Sequence, residues 1–260
     1  MVVTSAAPAP LDPFAGAKPL RLVAVTHGAP SAANREAIMR LVDGVASARP
    51  ELEVAISFVD ASDGDLASAL VGGGATAPVI VPLVLSAGFH VRTGLSLGLE
   101  RLGAEVVLAD ALGPDDRIVE VLARRLARAG LDDDAVVVLA AAGSNDPRAV
   151  RECFETARRL GHRLGRAVTV GFIAAAIPRL PDAIEMIREV HPGARIAIAP
   201  YLLAPGAFTD AAVAAGAELV AEPLLLPREA AAPELVELVL DRYHAASASA
   251  SAERRVAAEL

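Results

Sequence analysis

The chain is written twice, and only one copy carries histidines at the matching places. The first copy runs Leu22-Val-Ala-Val-Thr-His27-Gly28, followed much later by Val79-Ile-Val-Pro82-Leu-Val-Leu-Ser-Ala-Gly88-Phe-His90. The second runs Val136-Val-Val-Leu-Ala-Ala-Ala142-Gly143-Ser-Asn-Asp-Pro147, then Ile196-Ala-Ile-Ala-Pro200-Tyr-Leu-Leu-Ala-Pro-Gly206-Ala-Phe208. The offset stays near about 115 to 118 residues, so Ala142 stands where His27 stands and Phe208 where His90 stands. A duplicated scaffold with paired imidazoles in one half points to a single metal or acid–base site, with the other half as support.

At 260 residues the chain suits two domains of about 110–120 residues each, large enough for real cores. Short β-branched runs alternate with amphipathic helical stretches, the pattern of parallel α/β sheets. Strands are expected at residues 21–26, 53–59, 78–85 and 105–109, with helices at 31–49, 66–71 and 115–129. The helix at 66–71 stops at Gly72-Gly73-Gly74. After an acidic hinge at 131–134 the cycle restarts, with strands at 135–140, 167–173, 194–199 and 218–221. Its helices are expected at 147–164, 181–190, from 211, and at 232–244. The predicted organisation is a tail at 1–18, disordered and rich in Ala and Pro, a domain at 19–130 that carries the metal site, a degenerate repeat at 131–245, and an Ala/Ser-rich tail at 246–260 with no assigned role. The fold class is α/β: two similar domains, each a four-stranded, mainly parallel sheet flanked by helices.

Several function classes fall away. A net charge of −8 disfavours nucleic acid or an anionic membrane as the main partner. The N-terminus lacks the basic and apolar blocks of a secretion signal, and the longest apolar stretch, 78–91, is too short to span a bilayer. A lone Cys153 allows no internal disulfide and suits a reducing cytoplasm. Cys153 reads as a small buried hydrophobe on its helix. His162 and His191 read as surface residues, and His244 as a residue near a helix end, where its charge favours the helix dipole. The triple glycine ends a helix and lacks a following Lys-Ser/Thr, so it is not a phosphate loop.

In open α/β sheets ligands lie beyond the carboxyl ends of the strands. His27 follows the first strand, His90 follows the third, and Asp60 ends the second, so all three are expected at one rim. A lone histidine there is more often a satisfied loop residue; two at corresponding strand exits reverse those odds. Two imidazoles and a carboxylate suit Fe, Co, Ni or Zn.

At these residues the chain resembles the sirohydrochlorin chelatase family, the class II chelatases that insert cobalt or iron into a tetrapyrrole. Val25-Thr-His27-Gly28 is similar to the family's hydrophobic-x-His-Gly opening, and Phe58-Val-Asp60 to its Phe-Leu-Glu strand end. Val81-Pro-Leu-Val-Leu-Ser-Ala-Gly88-Phe-His90-Val-Arg92 resembles its Val-Pro-Leu-Phe-Leu-x-x-Gly-x-His-Val-Lys run. The second half resembles the degenerate C-terminal half of long actinobacterial members. Where the family reads Ser-Arg-Asp-Pro after His-Gly, this chain reads Ala29-Pro30-Ser31-Ala32, and Thr93-Gly94 replaces the usual Asp.

The resemblance implies a chelatase for siroheme or cobalamin biosynthesis, with Fe2+ or Co2+ as substrate metal, Ni2+ or Zn2+ accepted in vitro, and no permanently bound cofactor. Its partner is a small-molecule tetrapyrrole, and the protein is expected to act in the cytoplasm as a monomer or homodimer. His27 and His90 would hold the metal, and one of them would take a pyrrole proton, since imidazole titrates at about 6.5. Asp60 would complete the coordination or orient an imidazole. Arg92 would grip a peripheral carboxylate, joined on the substrate side by Gly28, Gly88, Phe89 and Arg35. The second reading is a metal- or tetrapyrrole-binding carrier or regulator without turnover, which the missing Arg-Asp after His27-Gly28 favours.

Overall fold

Two four-stranded parallel sheets share one strand order, which gives the duplicated sequence its physical meaning. The computed structural model describes residues 21–27, 31–59, 78–86 and 106–258. The first half comprises β1 (Leu22–His27), α1 (Ala32–Ala48), β2 (Val54–Val59), β3 (Val79–Pro82), β4 (Val107–Leu108) and α2 (Asp116–Arg128). The second comprises β5 (Val136–Ala141), α3 (Pro147–Leu164), β6 (Val168–Phe172), α4 (Leu180–Val190), β7 (Ile196–Tyr201), α5 (Ala207–Ala214), β8 (Leu219–Val220) and α6 (Pro233–Ala258). The orders are β2-β1-β3-β4 and β6-β5-β7-β8, so β1 and β5 are central and correspond. Register repeats as well: Leu22 pairs with Val54 and Val79, and Val137 pairs with Val168 and Ala197. The expected tail at 1–18 and helix at 66–71 lie outside the described residues.

Local chemistry places the helix starts. Ser31 accepts a hydrogen bond from the Asn34 backbone N–H, Asp115 from Arg117 and Asp146 from Arg148, so each caps its helix. Pro147 opens α3, where its missing N–H costs nothing, and Gly165 in the left-handed region closes it. Helix α1 turns Ala37, Ile38, Leu41, Val42 and Val45 inward, the stripe that its periodicity predicts. In β5, Val137, Leu139 and Ala141 enter one apolar cluster while Val138 and Ala140 enter the other. That alternation buries both faces of the second sheet.

The larger cluster is continuous through both halves. It is built partly by exchange: α2 packs against α3 and β7 of the second half, and α6 against α1, β3 and β4 of the first. The smaller cluster seats α4 and α5 on the opposite face of the second sheet through Leu180, Ile184, Ile187 and Ala212. The acidic hinge is pinned, since Arg195 bonds the Asp132 carboxylate and Arg166 donates to the Asp132 carbonyl at 2.8 Å.

Most boundaries shift by one or two residues from expectation, and three shift further for a physical reason. Strand β3 stops at Pro82, short of the expected 85, although Leu83 still donates to the Val25 carbonyl at 2.7 Å. Helix α5 begins at Ala207 rather than 211, because the Gly206 N–H donates to Thr209 Oγ1 and that hydroxyl donates back to the Gly206 carbonyl. Helix α6 runs to Ala258, through the tail expected to lie beyond it. Alanine is the best helix former, and Ser247, Ser249 and Ser251 donate to carbonyls four residues back, so the tail extends the helix. His244 is therefore inside a helix rather than near its end. Its Nε2 lies 3.1 Å from the Arg49 guanidinium, which can only donate.

Candidate functional site

The site is built on the carboxyl ends of β1, β2 and β3. His27 is the last residue of β1, and its Cα pairs with that of Val59, the last residue of β2. Adjacent strands lie about 4.8 Å apart, so the backbone of His27 sits beside the residue that immediately precedes Asp60. On the other side of β1, Val25 pairs with Pro82, from which the chain leads to His90. The strand order thus brings to one rim the ends of β1, β2 and β3, the three strands that His27, Asp60 and His90 end or follow in the sequence. Gly28, Asp60, Gly88, Phe89, His90 and Arg92 themselves lie outside the described residues.

Arg35, in the second turn of α1, is described. Its guanidinium carbon lies 4.4 Å from the ring centroid of Phe58, whose Cα pairs with Thr26. The cation therefore rests over the end of β2 at the rim. It has no carboxylate partner among the described residues, and Arg148, Arg151 and Arg179 at the starts of α3 and α4 also lack one. The arginines on the helix flanks are paired, as in Arg124 with Glu234, Arg125 with Glu229 and Arg163 with Glu120.

The second rim is built alike and chemically stripped. Ala142 follows β5, and Ala174, which donates to the Ala142 carbonyl at 2.8 Å, follows β6 where Asp60 follows β2. Gly143, the counterpart of Gly28, has φ +92°, and a Cβ there would fall 1.8 Å from the Ala174 carbonyl oxygen. Phe208, the counterpart of His90, is 46% exposed on α5. Among the described residues no group of three or more His, Cys, Asp or Glu could hold a metal. His162 and His191 are exposed and Cys153 is buried, as their sequence contexts predict.

The two rims meet. The Asn34 amide donates to the Pro205 carbonyl at 2.8 Å, and the Tyr201 hydroxyl donates to the Leu85 carbonyl at 2.7 Å. Sequence reading passes over Tyr201, because a tyrosine ending an apolar strand looks like core. The one signal for it is its position directly after Pro200, the counterpart of Pro82.

Comparison with known proteins agrees with this architecture. The CbiX family model matches residues 21–129 and again 136–246. A sirohydrochlorin ferrochelatase of Priestia megaterium is 30% identical over 141 residues, covering 51% of this chain and 53% of that one. A sirohydrochlorin cobaltochelatase of Sulfurisphaera tokodaii is 32% identical over 72 residues, 27% of this chain and 60% of that one. The chain thus spans 53% to 60% of the length of these curated relatives. Among solved structures, SirB from Bacillus subtilis with Fe3+ superposes with a TM-score of 0.72 at 22% identity, covering 90% of this chain and 98% of that one.

Proposed function

The chain belongs to the CbiX family, and we propose that it is a chelatase, a lyase that inserts Fe2+ or Co2+ into sirohydrochlorin for siroheme or cobalamin biosynthesis. One observation carries the reading. The central strand of the first sheet ends in His27 beside the strand that leads into Asp60, whereas the matching strands of the second sheet lead into Ala142 and Ala174. A metal-handling centre on one lobe, with an inert twin facing it, suits a cleft that takes a planar macrocycle.

In this mechanism His27 and His90 receive the divalent ion, and neutral imidazole suits both iron and cobalt. Asp60 completes the coordination or holds an imidazole in one tautomer. Insertion forms the metal–nitrogen bonds and releases two pyrrole protons, of which one passes to an imidazole and the other to solvent. Arg92 and Arg35 bind peripheral carboxylates from the first half, and Arg148, Arg151 and Arg179 offer the same chemistry from the second. Gly28, Gly88 and Phe89 give the macrocycle close access to the rim. Ni2+ and Zn2+ enter in vitro, no permanent cofactor is required, and the enzyme works in the cytoplasm as a monomer or homodimer.

The test is anaerobic insertion of Fe2+ or Co2+ into sirohydrochlorin, followed by absorbance against the uncatalysed rate. Acceleration that disappears in both His27→Ala and His90→Ala supports the reading. Tetrapyrrole binding without acceleration would instead mark a carrier, the reading favoured by Pro30-Ser31 standing where the family has Arg and Asp.

A further inference from the structure

Tyr201 ends β7 in the half whose rim carries no histidine, yet its hydroxyl reaches into the other half to the Leu85 carbonyl, 2.7 Å away. The residue is 3% exposed. Burial is the main force that pushes its phenol further up from the ordinary tyrosine range, so the hydroxyl stays protonated and keeps its donor. Gly113 is cut away to admit this contact, since a Cβ there would fall 2.2 Å from the Tyr201 hydroxyl and 2.5 Å from the Leu85 oxygen. On the same stretch Val84 accepts from Leu112 at 2.9 Å. Leu85 is the point from which five more residues lead to His90.

We infer that Tyr201 is a positioning residue for metal insertion: by holding the Leu85 carbonyl it fixes residues 83–86, the described stretch that runs from β3 toward His90 in the sequence, and with it the contact between the two rims. The inference rests on the chelatase reading above. It gives the half whose rim carries no histidine a part in the chemistry that composition alone would not assign, because a side chain from that half holds the stretch that precedes His90 in the sequence.

Tyr201→Phe keeps the ring and removes only the donor. The expected result is a loss in kcat of about tenfold and a similar weakening of Co2+ binding to the tetrapyrrole-free protein, as for other groups that orient metal ligands. KM for sirohydrochlorin should stay within about twofold and Tm within a few degrees of wild type, a split that mere loss of stability does not produce. Hydrogen exchange of peptides spanning 83–92 should rise in Tyr201→Phe and again in Gly113→Ala, whose methyl wedges the same pair apart. Unchanged exchange in that stretch, or kcat within twofold of wild type in Tyr201→Phe, overturns the inference. Should the wild-type protein insert no metal, the chelatase reading fails, and the exchange measurement still decides the role of Tyr201.

Discussion

The Asp115 carboxylate and the Arg242 guanidinium lie 3.3 Å apart, and around that contact the last helix of the chain is fastened to the first half. Arg242 also donates to the carbonyls of Ala111 and Leu112 at 2.8 and 2.9 Å. Asp115 caps α2 through the Arg117 backbone N–H and accepts from the Arg117 side chain at 2.9 Å. One carboxylate therefore joins the two helices that the halves exchange. Only 16% of the Asp115 side chain is exposed. Burial alone would push its ionisation up, but the hydrogen bonds from Arg117 and the nearby Arg242 charge together hold it below the usual carboxylate range.

Asp115→Ala removes a cap and leaves two guanidiniums without their carboxylate. The expected cost is about 2–3 kcal/mol, or a fall in Tm of roughly 5–10 °C. Because the folded-state value is depressed, this stabilisation is fully present above about pH 4 and is lost as pH falls through the folded value. Thermal melts of wild type and Asp115→Asn should therefore differ at pH 7 and converge as pH falls below the ordinary carboxylate range. A gap that stays constant across that window would mean that the carboxylate charge contributes nothing.

The strands of each half were legible because the duplication is strict where both faces of a strand are buried. Val137, Leu139 and Ala141 against Val138 and Ala140 mark a strand buried on both faces, and Leu22, Val23, Ala24 and Val25 are buried throughout as well. Boundaries set by single hydrogen bonds were not legible. The start of α5 depends on the Thr209 hydroxyl turning back to Gly206, and the length of α6 on alanines and back-bonding serines that by composition look like a tail. At the rim, the strand pattern put His27 at the exit of the first strand, and the structure has it as the last residue of β1. The Tyr201 bond to Leu85 joins residues 116 apart, a pairing that no local pattern encodes.

Cys153 sits on α3 with 4% exposure, and burial pushes its thiol up to about 12. Since the thiolate is the reactive form, the folded protein should react with a thiol reagent such as DTNB at pH 8 many-fold more slowly than the protein in guanidinium chloride. Rapid labelling of the native protein at pH 8 would show that α3 opens locally.

Gly143 and Gly165 both have positive φ, at +92° and +69°, but their surroundings differ. A Cβ on Gly165 meets nothing within 4 Å, whereas one on Gly143 falls 1.8 Å from a backbone oxygen that cannot move without displacing the β6 exit. Gly165→Ala should cost about 1 kcal/mol from backbone strain alone. Gly143→Ala should cost more than about 3 kcal/mol, or fail to accumulate as folded protein. Denaturant melts of the pair provide the check, and equal losses would contradict the close packing at the second rim.

Arg35 offers the sharpest test of substrate recognition among the described residues. Its guanidinium lies over Phe58 at 4.4 Å, an arrangement that fixes the plane while leaving the N–H donors unclaimed by any described carboxylate. A group held in that way can meet a carboxylate at little further entropic cost. Because no ion pair among the described residues is broken, Arg35→Ala should change stability by no more than about 0.5 kcal/mol. If it grips a peripheral carboxylate of the tetrapyrrole equally in the bound and activated states, KM should rise about five- to tenfold with kcat unchanged. Lysine at this position should recover part of the loss but not the bidentate geometry, and the effect should shrink at high salt as the charges are screened. A KM that does not move in Arg35→Ala would leave the residue as a solvated cation stacked on Phe58, and would shift the burden of carboxylate recognition to Arg92 and the arginines of the second half.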